Sequence, residues 1–124
     1  MAQRGLYGWN RVWALQKVNA ADFNFRISAL NGSSGGEVLI TVLPAPNTWM
    51  HVAATYSSAT GVVAIYYYGV FQSSATFIAG TAIGSSSEEL RLGAGKGAGT
   101  YNGQLGGVHL FNRALSAAEI SLLP

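Results

Sequence analysis

Apolar and polar residues alternate most regularly over 22–30, where Phe23, Phe25, Ile27 and Ala29 fall on one face and Asn24, Arg26 and Ser28 on the other. A period of two is the signature of a strand with one buried face. An apolar run over 11–18 precedes it, and NGSSGG at 31–36 follows with the φ-permissive residues of a hairpin connection. The return strand over 37–43 is stopped by Pro44 and Pro46, which cannot donate to a ladder. Runs over 49–56 and 61–70, joined by SSAT, form the next hairpin; 88–93 and 104–112 supply a short strand and a last one. Turn signals about every ten residues organise such runs into a sandwich or barrel.

One segment departs from this rhythm. Ser116 and Glu119 have capping-box spacing, and Ile120, Leu122 and Leu123 give the stretch an apolar side. A helix of about two turns is marginal alone, so it must dock on the sheets to persist.

Composition narrows the picture further. The 124 residues fit one domain spanning 1–124, with neither an internal repeat nor an interdomain linker. Hydrophobic residues make up 49%, enough for a real core, while only 10% are charged. That is well below the ~25% of an ordinary soluble domain, so solubility falls to Ser, Thr, Asn, Gln and Gly, or part of the surface packs against something else. The net charge of +2 comes from seven basic residues, scattered along the chain, against five acidic ones. Nucleic-acid binding rests on a clustered basic footprint, so it is not expected. With no cysteine there is neither a disulfide framework nor a thiolate metal site. No run reaches the roughly 18 apolar residues of a membrane span, and the N-terminal stretch lacks the continuous apolar segment of a signal peptide.

Three segments together carry a resemblance. TWMHVAATY (48–56) resembles the W-x-H-V-A-x-T-Y strand of laminin-G-like domains, and VVAIYYYGVFQSS (62–74) is similar to the strand and turn that follow it there. YNGQLGGVHLFNRALSAAEI (101–120) resembles that family's long closing segment. The resemblance covers roughly 11–124 and implies an all-β fold: a two-sheet antiparallel jelly-roll sandwich of the concanavalin A-like type, with a short C-terminal helix. It also implies a lectin-like binding role and an extracellular or cell-surface setting.

Departures from the family pattern sharpen the expectations. The usual Asp-Gly turn is Tyr68-Gly69 here, and Gly106 and Gly107 stand where the closing motif carries an acidic residue and its neighbour. Some members bind calcium through loop carboxylates. This chain has one aspartate, Asp22, and the glutamates Glu37, Glu88, Glu89 and Glu119. A calcium ion wants six to eight oxygens, so no metal or other cofactor is expected. Family members usually carry one or two strands ahead of the segment matching 11–18, where this chain has only ten residues. A sandwich short of a front strand exposes an edge or an apolar face, and a homo-oligomer or a partner strand is the expected remedy.

Catalysis finds no foothold. His51 and His109 are the two imidazoles, the first in a structural position beside Trp49 and the second directed to solvent or an interface. A triad needs a nucleophile and a positioned carboxylate, and there is no G-x-S-x-G elbow. A glycosidase needs two carboxyls some 5–10 Å apart, whereas adjacent Glu88 and Glu89 would face opposite sides of a strand. GAGKGAGTYNG (93–103) lacks the Ser or Thr after its lysine that a phosphate loop requires, and reads as a rim loop. The expectation is therefore a non-catalytic module that recognises a glycan or protein surface through rim loops and exposed aromatics, with Lys96, Tyr101, Asn102, Tyr68 and Trp9 as candidate ligand-binding residues. The alternative is an assembly protein that oligomerises through an exposed sheet and holds no small ligand.

The capping assignment makes a prediction. Ser116→Ala should lower stability by about 1 kcal/mol, read as a shifted midpoint in a denaturant titration; an unmoved midpoint would refute the cap.

Overall fold

The computed structural model describes residues 2–5, 11–17, 23–28, 35–40, 47–77, 79–84, 89–94 and 100–124. The elements are β1 (Ala2–Gly5), β2 (Arg11–Lys17), β3 (Phe23–Ser28), β4 (Gly35–Ile40), β5 (Val52–Ser57), β6 (Val62–Tyr67), β7 (Val70–Thr76), β8 (Leu90–Leu92) and α1 (Ala117–Ser121). They form a five-stranded sheet in the order β4-β3-β2-β1-β8 and a three-stranded sheet in the order β5-β6-β7. Every pairing is antiparallel.

Burial follows from the period of two. On β3, Phe25 and Ile27 point inward; on β6, the central strand of the smaller sheet, Val63, Ile65 and Tyr67 do the same, and these five side chains form the core cluster. Cross-strand register reinforces it, placing Leu15 opposite Phe25 and Trp13 opposite Ile27. Tyr56, Ala75 and Phe77 close the cluster from the smaller sheet, with the Tyr56 and Phe77 rings edge-to-face at 5.8 Å. Fully burying one such side chain contributes about 1.5–3 kcal/mol, so this inter-sheet contact is what holds the two layers together. It has one polar defect. The Tyr67 hydroxyl is buried without a hydrogen-bond partner among the described residues, and desolvation raises its pKa, keeping the phenol neutral.

The sandwich and the C-terminal helix agree with the sequence reading, and four details correct it. The expected strand over 61–70 stops at Tyr67, turns at Tyr68–Gly69 and returns as β7, which polar, small residues Gln72 to Thr76 had masked. A bulge between Ile65 and Tyr66 leaves Gln72 unpaired, since Ile65 faces Ser73 while Tyr66 faces Phe71. A strand does precede 11–18, because β1 pairs with both β2 and β8. Asn24, expected to face outward, is buried. Finally, 104–112 belongs to no strand. The Gly106-Gly107 pair weakens its β-propensity.

The C-terminal helix is fixed at its N-terminal end. Ser116 Oγ accepts from the Glu119 N–H at 3.2 Å, and the Glu119 carboxylate accepts from the Ser116 N–H at 2.8 Å, completing the capping box. Arg113 then clamps the same carboxylate with two guanidinium bonds of 3.0 and 2.6 Å. Ile120 is buried beneath the helix, which docks beside β7. Such charge-assisted, bidentate bonding favours the ionised acid. Arg113, then the Ser116 amide and hydroxyl, hold the Glu119 carboxyl down at about 2, from an ordinary 4.5. A depressed carboxyl stabilises the fold above its unfolded pKa and loses that contribution as pH falls through the folded one. The stability gap between wild type and Glu119→Gln should therefore be constant above pH 4.5 and close as pH falls from 4.5 towards about 2, measured by denaturant titration at low salt. A gap independent of pH would refute the clamp.

Candidate functional site

The β6–β7 connection has two residues, Tyr68 and Gly69, with φ of 50° and 77°. Positive φ at both positions defines a type I′ turn, the geometry whose twist matches the flanking strands and which Asn-Gly or Asp-Gly satisfies most cheaply. Gly69 suits it twice over, since a Cβ there would lie 2.7 Å from the Cα of Ser121, where α1 crosses the turn. Tyr68 does not suit it. A Cβ-bearing residue in the left-handed region costs roughly 1–2 kcal/mol, and Tyr lacks the short polar side chain that offsets this for Asn.

Two hydrogen bonds hold Tyr68 in place. Its N–H donates to the His51 carbonyl at 3.0 Å, and its hydroxyl donates to the Trp49 carbonyl. The turn is thereby tied to the segment entering β5. Trp49 itself lies on the surface, 63% exposed, and Tyr68 is 56% exposed. Gly106 approaches the Trp49 ring edge so closely that a Cβ would stand 3.4 Å from Cζ3. Val70, Phe71 and Leu122 are exposed too, with Phe71 edge-to-face on Tyr66 at 5.9 Å.

This surface is aromatic and uncharged in its own contacts. The described ion pairs, Arg113–Glu119 and Arg91–Glu89 at 3.5 Å, involve none of its rings. Among the described residues no three His, Cys, Asp or Glu side chains gather where they could hold a metal ion. Two amphipathic rings with open faces can stack on an apolar surface while polar rims stay wet.

Of the residues singled out in the sequence, Tyr68 lies on this surface, exposed and bonded to the Trp49 carbonyl. Tyr101 and Asn102 sit on the rim loop after β8. An Ala94–Thr100 bridge closes that loop, the Tyr101 N–H donates to the Gly93 carbonyl at 2.7 Å, and the Tyr101 ring folds over Gly103. Tyr101 is half-buried and Asn102 exposed. Lys96 and Trp9 lie outside the described residues. Sequence reasoning missed Trp49, which the W-x-H-V-A pattern presents as part of a packed strand although β5 begins three residues later, at Val52. The Pro44–Asn47 turn signals just before it were the available clue.

With two facing antiparallel sheets and a capped closing helix, the chain has the architecture of a lectin-type β-sandwich. Residues 5–121 match the laminin-G family of the concanavalin A-like lectin/glucanases superfamily, and the chain belongs to that family. Among solved structures it is similar to the crystal structure of an S-layer domain-containing protein (residues 221–444) from Clostridium thermocellum, with 20% identity and a TM-score of 0.43. The similarity covers 81% of this chain and 50% of that one, so this chain spans about half the length of that solved domain. No curated protein matches the sequence.

The turn geometry yields a test that needs no ligand. Tyr68→Asn relieves the left-handed strain as it gives up the hydroxyl bond, whereas Tyr68→Ala gives up the bond and keeps the strain. The Asn variant should be the more stable of the two by about 1 kcal/mol, measured by denaturant titration. The reverse order would refute the assignment of strain to the left-handed backbone at Tyr68.

Proposed function

We propose that this chain is a non-catalytic binding module that recognises a glycan by stacking it on the Trp49–Tyr68 surface. The observation that carries the reading is Tyr68 itself. A strained, non-glycine residue persists only where the surroundings over-determine it, and such residues cluster at functional sites. Here the strain keeps an aromatic ring more than half exposed beside an exposed tryptophan. Sugar rings present apolar C–H faces that stack on such side chains, and membership of a lectin/glucanases superfamily supports that class of ligand. Two carboxylates are already engaged: Glu119 in the helix cap and with Arg113, and Glu89 with Arg91. Tyr101 and Asn102 on the rim loop are the candidates for further contacts.

A second reading has its own support. Leu90 and Leu92 on β8 and Leu105, Val108, Leu110 and Phe111 over 104–112 add exposed apolar surface beyond the aromatic pair, which favours assembly of copies through an exposed sheet.

The glycan reading is tested by a glycan array followed by calorimetric titration of the best hit, with and without Ca²⁺. Saturable binding is expected, weakened at least about tenfold by Trp49→Ala and by Tyr68→Asn, a loss of about 1.4 kcal/mol. Quenching of Trp49 fluorescence should track saturation. Absence of saturable binding under either condition, or binding indifferent to both substitutions, would overturn it.

A further inference from the structure

Glycine gives up more chain freedom on folding than any other residue, so its presence at an ordered position needs a cause. At Gly61, Gly69, Gly80 and Gly93 the cause is a positive φ. Gly106 has no such cause. Its φ lies outside the left-handed region, and a Cβ there would have a single described atom within 4 Å, Cζ3 on the edge of the Trp49 ring, at 3.4 Å. Gly106 is also exposed. The fold therefore has room for a side chain at this position, and what the glycine preserves is the open edge of the indole.

Trp49 is placed to use that opening. Met50, the next residue, packs against the core, while Trp49 is turned to the surface. It adjoins Tyr68 through its carbonyl, which accepts the phenol hydroxyl, and Gly106 through its ring edge. An exposed phenol, an exposed indole and a bare peptide thus follow one another. Among the described residues the Gly106 N–H and carbonyl enter no backbone hydrogen bond. With no side chain over them, they are open to a ligand's hydroxyl groups, one as donor and the other as acceptor.

Resting on the glycan reading, we infer that Gly106 sets the length of ligand this surface takes. A glycan stacked on Trp49 runs on past the Cζ3 edge and over the Gly106 peptide, so the ligand is a linear oligosaccharide longer than the two rings alone accommodate. The rings offer apolar faces to the C–H surfaces of the first units, and the peptide offers directional bonds to the hydroxyls of the next. A leucine at 106 would start in contact with the indole edge, stand where that next unit lies and screen the peptide beneath it. Gly107 provides the contrast. A Cβ there would meet His109 Nε2 at 3.2 Å and no described atom of Trp49 within 4 Å, so a side chain at 107 leaves the ring edge as it is.

The test is calorimetric titration with cello-, laminari-, xylo- and chito-oligosaccharides, each as the disaccharide, which the two rings can hold by themselves, and as the hexasaccharide. In at least one series the wild type should bind the hexasaccharide at least about tenfold more tightly than the disaccharide. Gly106→Leu should abolish most of that preference while leaving disaccharide affinity within about twofold of wild type. Gly106→Ala should fall between the two, and Gly107→Leu should match wild type. Equal affinity for the two lengths, or a preference that Gly106→Leu leaves intact, overturns this inference and leaves the glycan reading standing. Wild type that binds no member of any series overturns both. Nuclear magnetic resonance on the wild type covers the case of a variant that does not fold. The Gly106 amide resonance should shift with the bound hexasaccharide and stay in place with the disaccharide; an amide unmoved by the hexasaccharide, or moved equally by both, overturns the inference.

Discussion

The contact between Phe25 and Ile27 on one sheet and Val63, Ile65 and Tyr67 on the other is the constraint from which the rest of the molecule follows. A three-stranded sheet is a poor unit by itself, because each strand must bury one face to justify its ordering. β6 solves this by placing every second side chain in the core, and its neighbours inherit the register. Once Val63, Ile65 and Tyr67 point inward, Tyr68 must begin the turn, β7 must return beside β6, and the C-terminal helix has a place to dock. The aromatic surface is therefore a by-product of where the core strand runs out.

The same contact explains the imbalance of the larger sheet. Among the described residues the smaller sheet packs chiefly over β4 and β3, so apolar residues at the front and back of the chain end in different situations. Trp13 and Leu15 reach the core. Leu90 and Leu92, in the same rows, do not.

How far the sequence was legible depends on whether local pattern or distant packing decides the outcome. β3 was legible because alternation over Phe23 to Ile27 is a local property, and the helix because Ser116 and Glu119 satisfy each other within one turn. β7 was not, since Val70–Thr76 has weak apolar periodicity and exists because β6 offers it a ladder. The 104–112 run failed in the opposite way: its alternation is strand-like, but pairing needs a neighbour that no local pattern supplies. At the site, Tyr68 announced itself by standing where Asp is usual, whereas the exposure of Trp49 depends on where β5 begins.

The Tyr68 hydroxyl bond to the Trp49 carbonyl has a thermodynamic consequence. A free surface tyrosine samples several rotamers, and any partner that stacks on it must first arrest them, at a cost of about 0.5–1.5 kcal/mol per side chain. Here the backbone is held at a positive φ, the turn is wedged against Ser121, and the phenol is tethered at its far end. Folding has already removed the rotor's freedom. The ring is thus anchored at both ends, by the turn that carries it and by its hydroxyl bond, and a group stacking on it would meet little freedom left to arrest.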